Sequence, residues 1–318
     1  MLLGGKLDPD DLKFSRATVV ENKEASADGS VRTLVLSIED HVNFMDGRKI
    51  RHVQENPRWV DAYQAPGQFV AVRYCSGGSS MENSGFNAVL AKQLKAIASS
   101  PYEARRDSAN LDATIIELLV SRNGDEDDRV LAELGPGGLL EVSNVVGKGY
   151  APLFETQTGL SMVLEECKTL LMVALGCRGI APLHAALTWT PVQAHATANK
   201  VILLYAVESQ TSAAYLVEWD AWREAGVVVV PIYLSPEAGG SGSNGGGAAA
   251  ASSPGPALEQ ALFHSSSGEH GLRGLLGCEP RDAAVLMSGV PGELAAQITR
   301  RLTQAGVPGE RVMFCEYL

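Results

Sequence analysis

The sequence lacks the features that would organise a metal centre or a disulfide framework. Its five cysteines, Cys75, Cys167, Cys177, Cys278 and Cys315, lie far apart, and none belongs to a C-x-x-C pair. An odd, scattered set of thiols fits neither paired disulfides nor a zinc or cysteine-ligated iron–sulfur site, so no metal is expected and a reducing compartment is. Basic residues are also scarce: 26 Lys and Arg face 37 Asp and Glu, a formal net charge of −11 in 318 residues. That balance argues against nucleic acid and anionic lipid as partners. No apolar run nears the roughly 18 residues that a transmembrane helix needs. The longest candidate, 169–175, has the length of a strand, so a soluble protein is expected. The first residues carry Asp8, Asp10 and Asp11 and match neither a secretory signal nor an acid-poor transit peptide. Either the protein stays where it is made or this start lacks a targeting segment. With 45% hydrophobic and 20% charged residues, the composition is core-forming, and the length suits two domains.

The two halves follow different patterns. Up to residue 145, short β-rich segments at 17–20, 32–38, 68–74, 114–121 and 139–142 alternate with turn-formers such as Ala27-Asp28-Gly29-Ser30 and Gly135-Pro136-Gly137-Gly138. Strands at this spacing without a long helix predict a small antiparallel barrel or sandwich. From residue 168, apolar runs at 169–175, 201–205, 227–232, 284–287 and 312–314 alternate with helical stretches at 182–189, 213–225 and 291–305. Ala295, Ile298 and Leu302 recur at helical spacing, with Gly306 as the C-cap. Strands apolar on both faces and separated by helices predict βαβ units and a parallel sheet. Residues 238–256 are rich in Gly, Ser and Ala and cannot bury a core, so a disordered loop is expected there. Residues 77–87 and 107–110 read as extended hairpin loops, and the acidic run Asp125-Glu126-Asp127-Asp128 as a solvated turn.

The stretch from Thr169 to His184 carries the strongest chemical signal. A buried strand runs into a turn holding Gly176 and Gly179, and Pro182 is expected in the first turn of the following helix. Such a turn aims backbone N–H groups and the positive end of a helix at one place, which suits a pyrophosphate. Proline is compatible there because its missing N–H would be unpaired anyway. The G-x-G-x-x-G fingerprint is absent, so spacing alone leaves a plain structural strand–turn–helix open beside a dinucleotide site.

Further segments occur in one order: Pro66-Gly67-Gln68-Phe69, Lys95-Ala96-Ile97-Ala98-Ser99, Gly147-Lys148-Gly149-Tyr150, Gly176 to Pro182, Leu203-Leu204-Tyr205, Trp222 to Pro231, and Ser288-Gly289-Val290-Pro291. In that order the chain resembles the ferredoxin–NADP reductase-like superfamily, closest to its plant and algal chloroplast reductase-like proteins. The resemblance implies an N-terminal extension at 1–12, a flavin-binding antiparallel β-barrel domain at 13–155, and a Rossmann-like nicotinamide-binding α/β domain at 160–318 that contains the insert 238–256. It implies FAD and NADPH or NADH as cofactors and a flavin-dependent NAD(P)H oxidoreductase activity. The electron acceptor is not named by any residue. A chloroplast location is implied by the same resemblance, with the cytoplasm otherwise.

The family's functional residues are matched in part. Its Arg-x-Tyr-Ser signature, in which Arg meets the flavin pyrophosphate and Tyr covers the ring, falls on Gln93, Leu94, Lys95 and Ala96, followed by Ile97, Ala98 and Ser99. Guanidinium, aromatic cover and hydroxyl are all replaced, which leaves Lys92 or Lys95 as the cation toward phosphate and implies weakly bound FAD. Gly147, Lys148 and Gly149 match the family's flavin-phosphate segment, beside the simpler reading as an interdomain turn. The nicotinamide turn, usually Gly-Gly-Thr-Gly-Ile-Ala-Pro, reads Gly176-Cys177-Arg178-Gly179-Ile180-Ala181-Pro182, where Arg178 is either a phosphate clamp or an obstruction. The late Cys-Gly-x-Pro motif reads Ser288-Gly289-Val290-Pro291, which makes Ser288 the sole catalytic candidate and Gly289 a cofactor contact. Glu208 would accept ribose hydroxyls. His184 is expected to be a packing or surface histidine, and Tyr317 a chain end or a ring stacked on flavin. A different class stays open: a degenerate, non-catalytic member that keeps the fold as a binding or regulatory module.

Overall fold

In the computed structural model, which describes residues 12–46, 49–54, 58–75, 90–109, 111–152, 159–235, 253–264 and 271–315, period-two alternation builds the first domain. Ala17 and Val19 on β1 (Phe14–Glu24), Leu34, Leu36 and Ile38 on β2 (Val31–Glu39), and Ile116 and Leu118 on β7 (Ala113–Ser121) share one interior. With β5 (Phe69–Cys75), β6 (Leu90–Ala96) and β8 (Leu139–Ser143) they form an antiparallel sheet in the order β6-β5-β8-β1-β2-β7. Its two edges meet where Ile97, just past β6, bridges Leu118 of β7, so the sheet curls on itself and covers its unpaired edges. A separate ribbon pairs β3 (His41–Asp46) with β4 (Lys49–Gln54).

Two helices of this domain correct the sequence reading. Residues 107 and 108 are the end of α1 (Pro101–Ser108), which opens on a capping box between Ser100 and Glu103. The acidic run begins α2 (Glu126–Glu133): the Asp125 side chain accepts from the Asp128 N–H at 2.9 Å as an N-cap, and Asp128 is buried.

The second sheet has the order β12-β11-β10-β13-β14-β9, built from β9 (Tyr150–Pro152), β10 (Thr169–Leu175), β11 (Lys200–Val207), β12 (Val227–Tyr233), β13 (Ala283–Ser288) and β14 (Val312–Cys315). Its strands pair in parallel except β9, which runs antiparallel to β14. Leu170, Met172 and Leu203 face a layer containing α3 (Leu160–Glu166), α4 (Gly176–Leu187), α5 (Thr190–Ala198) and α6 (Trp219–Glu224). Leu171, Val173 and Ile202 face α7 (Pro254–Phe263), α8 (Gly271–Leu276) and α9 (Gly292–Gln304). Burial on both faces is why these strands read as continuous apolar runs.

Three helix boundaries differ from expectation. The helix expected at 182 starts at Gly176, because the glycine turn is itself wound into it, and Pro182 is a buried residue of the helix interior. The stretch 213–225 condenses to a single 3-10 turn, Leu216–Glu218, and α6. Helix α7 begins at Pro254, inside the stretch expected to be a loop. The rest of that stretch up to 252, residues 77–87 and Tyr317 lie outside the described residues.

The domains share packing. Val31, Ala96, Ala98 and Leu119 of the barrel belong to the same apolar cluster as α4 and α6. Two backbone bonds add to it, Tyr215 N–H to the Ala25 carbonyl at 2.8 Å and Asp28 N–H to the Thr211 carbonyl at 3.0 Å.

Candidate functional site

The parallel strand order reverses direction between β10 and β13, so the carboxyl ends of these two strands form a topological switch point. In open α/β sheets ligands enter at such a point. Gly176, the residue after β10 and the first of α4, has φ +63, and nothing lies within 4 Å of the position a Cβ would take, so this face of the turn is open. Gly179 faces the other way: a Cβ there would sit 2.5 Å from the Ser288 carbonyl oxygen and 3.2 Å from the Ala174 backbone. The glycine thus lets α4 approach β10 and β13 closely. Gly289 enters the same contact, against the backbone of Gly179. Ile180, Ala181 and Pro182 are buried in α4. Ser288, opposite Ala174 in the ladder, is fully buried, and its hydroxyl has no hydrogen-bond partner among the described residues. A buried unpaired hydroxyl costs about 1–3 kcal/mol unless a ligand supplies the bond. Glu208, just past β11, accepts a hydrogen bond from the Ser235 hydroxyl.

Two of the cations expected to meet phosphate, Lys95 and Arg178, are already paired. Lys95 forms a buried ion pair with Asp128, and Arg178 donates to Asp125 at 2.9 Å. Gln93 donates to Asp125 at 3.1 Å, so the residues on the Arg and Tyr positions of the family signature both face the start of α2. Burial pulls the Lys95 ammonium below its usual range. Cys177, near Lys95, has its thiol pushed up to about 12 by burial, which denies it thiolate character at neutral pH. Ala96, Ile97, Ala98 and Ser99 are buried and hold the barrel closed: the Ser99 hydroxyl accepts from the Glu117 N–H at 3.0 Å, and its carbonyl accepts from the Tyr63 hydroxyl at 2.6 Å. The Gly147–Gly149 segment lies against the turn at Pro66-Gly67-Gln68, with the Gln68 amide donating to the Gly147 carbonyl at 2.9 Å. Lys148 is exposed.

His184 is a packing histidine, as expected, but its polar partners could not be read from the sequence. Its ring is buried at the domain boundary, with Nδ1 2.8 Å from the Ala98 carbonyl of the barrel and Nε2 3.0 Å from the Glu218 carboxylate. It stacks on Tyr215 at 3.9 Å between centroids and 8° between planes. A ring facing two acceptors satisfies both only as imidazolium. Burial opposes that charge, but the bond and charge of Glu218, the Ala98 carbonyl and the charge of Glu117 outweigh it and raise the pKa above the usual histidine value. One further grouping has the residue types of a nucleophilic site without its environment. Cys167 lies 3.8 Å from His195, whose Nδ1 is 3.0 Å from the Leu164 carbonyl, but burial pushes the thiol up to about 11. These are packing groups.

No protein-family model and no curated protein matches the chain's sequence. Solved structures do match its fold. A ferredoxin NADP+ reductase from Neisseria gonorrhoeae with bound FAD and NADP aligns over 95% of this chain and 98% of its own, at 15% identity and TM-score 0.56. A cytochrome P450 reductase from Amycolatopsis aligns over 95% and 69%, at 16% identity and TM-score 0.57. The flavohem-like FAD/NAD binding domain of nitric oxide dioxygenase from Vibrio cholerae aligns over 94% and 97%, at 15% identity and TM-score 0.53. The fold is therefore the two-domain fold of ferredoxin–NADP reductase-like proteins, a curled antiparallel sheet followed by a mostly parallel α/β sheet. Among the described residues no helix is long and apolar enough to cross a membrane.

Proposed function

We propose that the chain is a flavin-dependent NAD(P)H oxidoreductase that holds FAD loosely and passes electrons to a separate acceptor, a small molecule or a protein. The observation that carries this reading is the switch point between β10 and β13, where an open glycine turn stands beside the buried, unpartnered hydroxyl of Ser288. These residues fit a nicotinamide dinucleotide. Gly176 leaves room for a pyrophosphate at the start of α4, and Ser288 would give its unused hydrogen bond to the nicotinamide end. The flavin side fits less well. Gly147, Lys148 and Gly149 match the phosphate segment of the family, whereas Lys95 and Arg178 are engaged with carboxylates. A bound flavin would supply the hydride-accepting ring, and the chemistry would belong to the two cofactors.

What this chain adds is placement and exclusion of water. The shared apolar cluster and the His184 contacts hold the two domains in one arrangement, so cofactors seated on each would meet without a large search. The chloroplast location rests on the sequence resemblance alone and is tested by localising the native protein with an antibody.

A second reading, a nicotinamide-binding module without flavin chemistry, is favoured by the engaged Lys95 and Arg178. Calorimetric titration separates the two. The oxidoreductase reading expects substoichiometric FAD in the purified protein and reconstitution by added FAD. The module reading expects NADPH or NADH binding with no response to FAD.

A further inference from the structure

The first turn of α2 gathers donors from three other elements. Gln93 and Lys95 come from β6, Tyr74 from β5 and Arg178 from α4, and all four bind carboxylates within the run 125–128. The Tyr74 hydroxyl donates to Asp127 at 2.5 Å. The Lys95–Asp128 pair is almost fully withdrawn from water, with side chains 6% and 5% exposed, whereas Arg178 and Asp125 are 61% and 50% exposed. A buried pair of this kind is a poor source of stability, because desolvation of both charges offsets their attraction. The helix start adds its own positive end, and Asp125 already fills it as the N-cap. The donors gathered at this helix start are thus met by the chain's own carboxylates.

We propose that Asp125 and Asp128 are specificity-determining residues that act as internal stand-ins for ligand phosphate. They occupy Lys95 and Arg178 and set a low affinity for any dinucleotide whose phosphates must claim those cations. The inference rests on the oxidoreductase reading and deepens it. Because Arg178 belongs to α4 and Asp125 caps α2, their bridge joins the starts of two helices from different domains. A phosphate arriving at Arg178 exchanges one anion for another and releases the α2 end. A ligand without phosphate meets no such competition.

The test compares FAD, riboflavin (the same flavin ring without phosphate) and ADP-ribose (an adenosine diphosphate without the flavin or nicotinamide ring) on the full chain. Asp125→Asn removes the charge and keeps the helix cap, since Asn caps as well as Asp. It is expected to tighten FAD and ADP-ribose about fivefold while riboflavin is unchanged. Adding Asp128→Asn is expected to tighten FAD further. Because that change leaves Lys95 buried without its partner, Lys95→Met with Asp128→Leu serves as the folded control and should bind FAD no tighter than wild type. FAD and riboflavin affinities that move together would overturn the proposal. So would an unchanged FAD affinity in Asp125→Asn when the wild type binds FAD and is reduced by NADPH, an outcome that leaves the oxidoreductase reading intact. Failure of every form to bind FAD or ADP-ribose at millimolar concentration overturns both.

Discussion

Replacing His184 with Leu removes two hydrogen bonds and a stacked ring from the domain boundary while keeping its volume roughly filled. The fully buried Ala98 carbonyl loses its donor, at about 1–3 kcal/mol. The 3.9 Å stack on Tyr215 contributes about 0.5–1.5 kcal/mol. Glu218 loses a partner too, but its side chain is 38% exposed and water replaces the bond, so little is added. The expected loss is about 2–4 kcal/mol, read by urea unfolding with the fluorescence of Trp222, whose ring lies 6.0 Å from His184. The pH dependence gives a second readout. The folded pKa of His184 is raised, so its stabilisation is complete below the unfolded value of about 6.5 and is lost as pH rises through the folded value. Glu218, Glu117 and Glu103 are the carboxylates on the packed elements. Glu117 is itself raised by burial, with a slope of the same sign, and the charge of His184 lessens that rise, so the difference between wild type and variant reports the histidine together with its coupling to Glu117. The wild-type advantage should shrink as pH rises above 6.5. A stability loss below about 0.5 kcal/mol, or an advantage that grows with pH, would refute the imidazolium assignment.

Three other outcomes follow from the site. Gly179→Val drives a Cβ into the Ser288 and Ala174 backbones and should cost about 3 kcal/mol of stability in thermal or urea unfolding, not merely weaken a ligand. Ser288→Ala removes an unpaired buried hydroxyl, so it should raise stability by about 1 kcal/mol while weakening NADPH binding about fivefold; unchanged binding would detach the hydroxyl from the ligand. Replacing residues 239–251 by a short Gly-Ser linker should move the thermal midpoint by less than about 2 °C, because loop length adds closure entropy only slowly.

The parallel sheet was legible because β10, β11 and β13 are buried on both faces and leave uninterrupted apolar runs. Helix α9 was legible through Ala295, Ile298 and Leu302 on its buried side. Helix α1 buries mainly the small Ala104, so periodicity is weak, yet Ser100, Pro101 and Glu103 already carried a start signal. The register and closure of the barrel, such as Ile97 against Leu118, have no local signature. Neither do the long-range pairs. Asp128 is buried by Lys95, 33 residues away, and His184 acquires its character from Ala98 and Glu218 on other elements. In the site, the glycine turn and Ser288 were visible as motifs, whereas the pairing of Lys95 and Arg178 with α2 depends on three-dimensional proximity.

The proposed activity requires the two domains together to carry out nicotinamide-to-flavin electron transfer with a loosely held FAD. The most direct test is to titrate the purified protein with FAD, add NADPH or NADH anaerobically, and follow the flavin absorbance. Saturable FAD binding followed by bleaching of the oxidised flavin band is the expected result. No binding and no bleaching at millimolar FAD, in a protein that unfolds cooperatively and binds NADPH or NADH, would contradict the account and leave a nicotinamide-binding module in its place.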